Sequence, residues 1–431
     1  MTTSIRDLID RAPMSRFQMI AVAVCVGLNM LDGFDILVMA FSASAVTAEW
    51  ALTGQQLGAL LSAGLIGMAA GALLLAPLAD RFGRRAIVLT AVMITSAGML
   101  GAGVCTGYLA LAALRVLTGV GIGGILASAA VIVSEYAPLR RRSTALSLYA
   151  TGYSLGATVG GAISAVLIER YGWRSAFLFG GFASLTMLPA IYWCLPESFD
   201  FLSARRPANA LAKANALLHS MRLAPVNSLP EPTAGDAARV GRPGPPPLSR
   251  TTWLIWAAFF FTMAAYYFVV GWTPRLLTAH GLTARQGITG GVLLNLGGLF
   301  GSLVFAALVA RVDARWLTGV FLLLTAAAMA LFAASMSTLA IALVAAVLLG
   351  LFANGVMCGF YSVVPVLYPT QVRATGMGWA IGVGRFGAIL APWTAGMLVD
   401  RGVGAPQLYL AFLLCLLVAA LALAAIRIPR P

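Results

Sequence analysis

Charge is scarce in this chain: Asp, Glu, Lys and Arg together make up 10% of its 431 residues, against 60% hydrophobic residues. That scarcity excludes an ordinary soluble domain, which uses about a quarter charged residues. Histidine is scarcer still. Only His219 and His280 are present, in no catalytic or metal-binding grouping, so an enzyme is the least expected class. The five cysteines (Cys25, Cys105, Cys194, Cys358, Cys415) fall inside apolar segments at unrelated spacings, which indicates neither a disulfide framework nor a metal site. No cofactor is expected, and no nucleotide-binding domain for ATP-driven work can be read. Gly119-Val-Gly121-Ile-Gly123-Gly124 has literal G-x-G-x-x-G spacing, but it lies inside an apolar run rather than after a strand. Those glycines, and the Gly152-x3-Gly156-x3-Gly160 series, instead suit close packing of helices in a membrane.

What is abundant is apolar sequence in lengths of about 20 residues, each enough to cross about 30 Å of hydrocarbon as a helix. Twelve such segments are expected, at 17–44, 54–79, 86–106, 108–134, 143–168, 174–195, 251–273, 286–309, 316–335, 337–366, 374–398 and 405–426. The first is too long for a cleaved signal core and contains acids, so it reads as an uncleaved span. Both termini are then expected on one side. The net charge of +14 suggests nucleic acid less than topology. With the N-terminus in the cytoplasm, about 21 of the 28 Lys and Arg fall on that side, as the positive-inside rule expects. The Arg140-Arg141-Arg142 run reads as an anchor beside anionic headgroups. The expected setting is a lipid bilayer, the bacterial inner membrane, with no nucleic-acid partner.

From Pro196 to Arg250 the chain turns polar and ends in a Pro/Gly-rich stretch, dividing six spans from six. The expected organisation is a first six-helix bundle over 1–195, a cytoplasmic linker over 196–250 with surface helix near 208–218, and a second bundle over 251–431. The halves repeat. Gly71 to Arg85 aligns without gaps on Gly301 to Arg315, an offset of 230, and Arg142-Ser-Thr144-Ala on Arg373-Ala-Thr375-Gly, with Gly156 on Gly387. Parallel six-helix repeats characterise one class of secondary transporter, whose substrate site lies between them near the midplane.

The chain resembles the major facilitator superfamily over essentially its whole length. Asp80-Arg-Phe-Gly-Arg-Arg85 resembles that superfamily's signature loop, and Pro196-Glu197-Ser198 fits the start of its central loop. The resemblance implies an all-α membrane protein of twelve helices, two six-helix bundles around a central cavity. Physically, Asp80 with Arg81, Arg84 and Arg85 around the Gly83 break can tie helix ends in one state and release them in another. The second copy has Ala310 in place of Asp80, so its latch is expected to be weaker.

Charges within the spans are few. Asp32 and Asp35 sit mid-span and three residues apart, neighbours on one helical face. As a coupled pair in a low dielectric they are candidates to load and unload a proton. Arg115 and Arg385, one in each half, are the basic residues well inside spans. A guanidinium stays charged and presents paired donors matching a carboxylate, so each is a candidate to bind an anion or balance an aspartate. Glu135, beside the arginine run, is a candidate for a gate ion pair or for proton transfer. Asn295 and Asn354 are polar groups able to bond a helix or a ligand. Of the aromatics Tyr149, Tyr153, Tyr266, Tyr267, Phe360, Tyr361, Trp379 and Phe386, the strongest cavity candidates are Tyr153 and Trp379.

Asp32-Gly-Phe-Asp35, the segment 115–124 and the segment 373–385 together resemble the aromatic acid:proton symporter family. The resemblance implies proton-coupled uptake of a benzoate-like or 4-hydroxybenzoate-like carboxylate. It implies that Asp32, Asp35, Arg115, Glu135, Arg373 and Arg385 matter for transport; the expected roles are proton coupling for Asp32, Asp35 and Glu135, substrate binding for Arg385 and Arg115, and gating for Arg373. A monomer is the expected working unit. The segment 152–161 resembles an antiporter motif of the superfamily, but Ala157 replaces its proline, which weakens an efflux reading without removing it. Transport of another organic anion, or a non-transporting receptor for aromatic acids, stays open as well.

Overall fold

The computed structural model describes residues 5–207, 209–229, 249–336, 338–368 and 372–426, with Arg373 and Ala374 described by backbone only. The helices are α1 (Ile5–Arg11), α2 (Arg16–Trp50), α3 (Gly54–Phe82), α4 (Arg84–Val104), α5 (Tyr108–Tyr136), α6 (Leu139–Tyr171), α7 (Trp173–Cys194), α8 (Phe199–Arg205) and α9 (Ala210–Ser220). The second half adds α10 (Arg250–Ala279), α11 (Ala284–Val309), α12 (Ala314–Ser335), α13 (Leu339–Leu367), α14 (Arg373–Asp400) and α15 (Ala405–Ala425). Among the described residues, twelve are long and apolar enough to span a membrane, α2–α7 and α10–α15. The fold is that of an all-α, multi-pass membrane protein.

Local chemistry places the ends, and several fall outside the apolar core of the span. Ser15 and Gln18 form a reciprocal capping box at the start of α2, while α2 runs on to Trp50 and closes on Ala51 in a left-handed conformation. Thr53 and Gln56 form the same box at α3, and Thr283 and Gln286 repeat it 230 residues later at α11. At the other end α3 continues through Asp80 and Arg81 to Phe82, so most of the expected signature loop is helix. The break is Gly83 alone, at φ 99°, a conformation that favours glycine.

The repeat governs packing. In the first half α2 lies on α6, α3 on α5, and α4 on both α5 and α7; in the second, α10 lies on α14, α11 on α13, and α12 on α13 and α15. Small residues make these crossings close. A Cβ added at Gly156 would stand 1.8 Å from the Met30 carbonyl, and one at its counterpart Gly387 would stand 2.2 Å from that of Phe260. The glycines of the G-x-G-x-x-G run serve the same purpose, Gly119 and Gly123 facing α3 and Gly121 facing α4.

The two halves meet mainly through α3 with α14, α6 with α11 and α2 with α10. Among the described residues, the bonds between them lie at the end opposite the arginine-rich loops. Asp400 accepts from the backbone N–H groups of Gly54 (2.6 Å) and Gln55 (2.8 Å), and Ser62 donates to the Ile389 carbonyl (2.6 Å). Ser44 bonds Thr278 at 2.8 Å, and Arg285 pairs with Glu169 at 3.5 Å. The contact face of α3 runs through Gly54, Gly58 and Ser62; continued toward the arginine-rich end it carries Ile66 and Leu73, 46% and 77% exposed. The matching face of α14 runs from Gly396 through Pro392 and Ile389 to Gly382 and Gly378, where a Cβ would meet nothing within 4 Å. A crevice therefore opens between the halves toward the arginine-rich end and closes at mid-depth.

Short helices cover the arginine-rich end of the first half. Ile5 and Ile9 of α1 are buried there, and Arg6 donates to the carbonyls of Ser134 and Glu135. The first part of the expected linker is not a free strand of polar chain. Leu202 of α8 and Ala214 and Leu218 of α9 are buried in the same apolar cluster as Ile9 and Val133. Residues 230–248, including the Pro/Gly-rich connector, lie outside the described residues.

Candidate functional site

Asp32 and Asp35 face a small cleft inside the first six helices, lined by Leu28 and Leu31 of α2, Val92 and Thr95 of α4, Ile125 of α5 and Ser184 of α7. Both aspartates are fully buried, and among the described residues none of their four carboxylate oxygens has a hydrogen-bond partner. Gly180 of α7 makes room for Asp35: a Cβ there would lie 3.2 Å from its Oδ1.

Arg115 is 2% exposed in the second turn of α5, covered by the neighbouring helices. Its Nη2 donates to the backbone carbonyl of Asp35 at 2.8 Å, and its guanidinium lies over the Phe177 ring at 5.8 Å. Gly64 of α3 leaves the space it occupies. Arg115 therefore ties α5 to the turn of α2 that carries the acids, and its charge acts on Asp35. The sequence pairs these residues only by type; the fold brings them together.

The second half has a counterpart cleft, lined by Thr262, Ala265 and Tyr266 of α10, Thr325 of α12 and Val356 of α13, among others. At the repeat offset of 230, Thr262 answers to Asp32, Ala265 to Asp35, Thr325 to Thr95 and the buried Ala345 to Arg115. The architecture is duplicated, and the charge is not.

Arg385 lies one turn from Ile389, where the crevice closes, and is half-buried. Its charge acts on Tyr267 of α10 and Tyr361 of α13. Tyr153 of α6, half-buried, interacts electrostatically with Tyr266, Tyr267 and Asp32. The phenols of Tyr153, Tyr266, Tyr267 and Tyr361 thus lie within electrostatic reach of the acid pair of one half or the arginine of the other, with Tyr266 and Tyr267 packed edge to face at 5.4 Å. Trp379, largely exposed, stacks on Trp256 at 5.6 Å, nearly two turns from Arg385 toward the opening. Asn354 accepts from the Tyr266 hydroxyl at 3.4 Å, and Asn295 bonds back to the Gly291 carbonyl of its own helix.

Glu135 stands apart from Asp32 and Asp35, at the arginine-rich end of α5. One oxygen accepts from the Ser198 hydroxyl (2.9 Å) and lies 3.7 Å from Arg84; the other accepts from the Phe199 N–H (3.1 Å). Glu197 accepts from the backbone N–H groups of Arg84 (2.7 Å) and Arg85 (3.3 Å), and a Cβ at Gly83 would collide with its carboxylate. Asp80 is mostly exposed, pairs with Arg84 at 3.3 Å, and its carbonyl accepts from Arg205 of α8. Arg85 bonds the Tyr192 carbonyl, and Arg81 lies over Phe82. All these contacts remain inside the first half. The Arg373 side chain lies outside the described residues. Thr95 and Ser184 had no sequence signal as site residues, since an isolated hydroxyl in a span has no spacing to mark it, and Glu197 was marked only as part of the Pro196-Glu197-Ser198 loop start.

Residues 22–392 and 288–431 match the family described as Major Facilitator Superfamily. The chain is 33% identical to the gallate transporter of Pseudomonas putida over 98% of its own length and 94% of that protein's. It is also 33% identical to the 4-hydroxybenzoate transporter of Pseudomonas putida, over 95% of this chain and 92% of the relative. Among solved structures, the inward open conformation of the xylose transporter XylE from E. coli superposes with a TM-score of 0.76 at 16% identity, covering 94% of this chain and 95% of that one. That likeness concerns the fold alone.

Proposed function

Because the chain belongs to the major facilitator superfamily, we propose that it is a proton-coupled importer of a small aromatic carboxylate such as 4-hydroxybenzoate. It is a membrane transporter rather than an enzyme. In this reading the arginine-rich end faces the cytoplasm of a bacterial inner membrane. The substrate carboxylate is held by Arg385 at the floor of the crevice, with its ring among Tyr153, Tyr267 and Tyr361, and Trp379 lies along the exit. Asp32 and Asp35 carry the proton, and Arg115 holds their helix turn and balances one negative charge.

The observation that carries the proposal is the pairing of a guanidinium at the crevice floor with a buried acid pair across a row of phenols. An anion at Arg385 and a proton at the aspartates each remove an uncompensated charge from the low-dielectric interior, so the loaded protein is freer to rock than the half-loaded one. The near-full-length likeness to transporters of gallate and 4-hydroxybenzoate supports an aromatic substrate. One proton with one monoanion is electroneutral and draws about 1.4 kcal/mol per pH unit. Each further proton adds about 2.3 kcal/mol per 100 mV.

The test is uptake of radiolabelled 4-hydroxybenzoate into proteoliposomes under an inward proton gradient, with Asp35→Asn and Arg385→Ala beside the wild type. Accumulation by the wild type that disappears in both variants is the expected result. No accumulation, and no binding competition by benzoate, gallate or nicotinate, would overturn the aromatic-acid reading. Outward movement against an inward proton gradient would make the protein an efflux antiporter.

A further inference from the structure

Hydroxyls buried in apolar helices can bond to the carbonyl one turn back. Thr118, Thr158 and Thr318 all do so here, and so does Thr325, to the Phe321 carbonyl at 2.7 Å. Thr95, the residue to which Thr325 answers in the repeat, does not: it is 2% exposed, and among the described residues its Oγ1 has no partner. The Ser184 hydroxyl on α7 is equally buried and equally unpartnered. Both line the cleft that holds Asp32 and Asp35. Gly121 of α5 admits the Thr95 hydroxyl, since a Cβ there would come within 2.1 Å of it.

The groups facing the acid pair come from each surrounding helix. Arg115 comes from α5, and its donor is turned to the Asp35 carbonyl; Tyr149 and Tyr153 come from α6, and Cys25 lies further along α2. Among the described residues, α4 and α7 line the cleft with Val92, Thr95 and Ser184 and with no charged or titratable side chain.

We propose that Thr95 and Ser184 are positioning residues of the ion site, supplying the aspartate pair with a hydrogen bond in both of its protonation states. A hydroxyl rotates, and it both donates and accepts. Facing a carboxylate, it donates its proton to the charged oxygen. Facing a carboxylic acid, it turns and accepts from the acid O–H. A guanidinium serves only the first state, because it has no acceptor. Turned onto the pair, in a bond that neither hydroxyl makes in this structure, they let the proton leave and return without stranding an unpaired buried oxygen. This proposal rests on the proton-coupled reading above.

Two assays on the same proteoliposomes test it: gradient-driven accumulation, and exchange of labelled for unlabelled substrate at equal pH on both sides. In the Thr95→Val/Ser184→Ala double variant the ratio of accumulation to exchange should fall by about tenfold, the scale of one lost hydrogen bond to a charged group. Thr95→Ser should restore most of the ratio, and Thr325→Val should leave it at the wild-type value. An unchanged ratio in the double variant, with coupled uptake by the wild type, would overturn the hydroxyl role alone. So would equal loss of both activities that Thr95→Ser fails to rescue. A wild type that exchanges substrate but accumulates none under the gradient would overturn the coupled reading and this proposal with it.

Discussion

The two halves of this molecule share one scaffold and divide the chemistry. Helix pairing, capping boxes and close glycine crossings recur at an offset of 230 or 231 residues, down to a small cleft at the same place in each bundle. In the first cleft stand Asp32, Asp35 and, behind them, Arg115; in the second the corresponding residues are Thr262, Ala265 and Ala345. The second half carries Arg385 on the crevice face of α14, where the first, at the offset of 231, has Ser154. The repeat supplies the architecture twice, and the proposed function gives ion handling to one copy and anion binding to the other. On that proposal the two loads sit on opposite bodies, so their electrostatic contact depends on how the bodies sit.

If Arg115 holds the acid-bearing turn of α2 while Arg385 meets the anion, the two arginines should answer differently to removal. Arg115→Met strips a fully buried cation and leaves Asp35 uncompensated, a loss expected to cost about 3–5 kcal/mol of stability. Arg385→Met removes a half-buried group at an open crevice floor, and the melting temperature in detergent should hardly move. Combining Arg115→Met with Asp35→Asn should recover part of the loss, because the stranded charge goes too. Thermal melts of the four proteins decide it. Equal destabilisation by the two arginine substitutions would break the division of roles.

Much of this comparison was legible in the sequence, because membrane folding writes itself in composition. Twelve apolar runs, the arginine loops and the repeat follow from the cost of putting polar backbone and charge in hydrocarbon. The acids and arginines of the spans stood out for the same reason. The depth of Arg115 did not, since a residue near the start of an apolar run can lie at the surface or be covered, and only the packing of α2, α3 and α7 around it decides. Nor did the role of Glu135, which the sequence leaves between gate and proton carrier. Its partners Ser198 and Phe199 lie beyond two further helices, at a distance no local pattern spans. The helices α1, α8 and α9 are polar enough to read as connectors, and what they bury is visible only against Val133 and its neighbours.

Packing offers the opposite control, a place where the halves should behave alike. Gly156→Ala and Gly387→Ala each drive a methyl into a carbonyl of the neighbouring helix, Met30 in one case and Phe260 in the other. Overpacking of this kind costs about 1–3 kcal/mol, and the two values should agree within the scatter of such measurements. A large difference would mean that one crossing relaxes more readily, and that the scaffold is less evenly duplicated than its helix pairing suggests.

The smallest effect concerns the two signature loops. In the first, Asp80 pairs with Arg84, which also approaches Glu135, while Glu197 caps the backbone beyond Gly83, so the carboxylate belongs to a charge network at the mouth of the crevice. In the second, the corresponding position is Ala310, and the nearby Asp313 caps α12 by accepting from the Trp316 N–H at 2.9 Å. Asparagine caps a helix about as well as aspartate, so Asp313→Asn should leave initial uptake rates within about twofold of the wild type. On the latch reading, Asp80→Asn keeps the shape but removes one charge from that network. Because Asp80 is mostly exposed, its ion pair is worth about 1 kcal/mol at most, and uptake should slow only several-fold, with binding unchanged. Equal slowing by the two substitutions would mean that the latch does not depend on the acid that only the first copy retains.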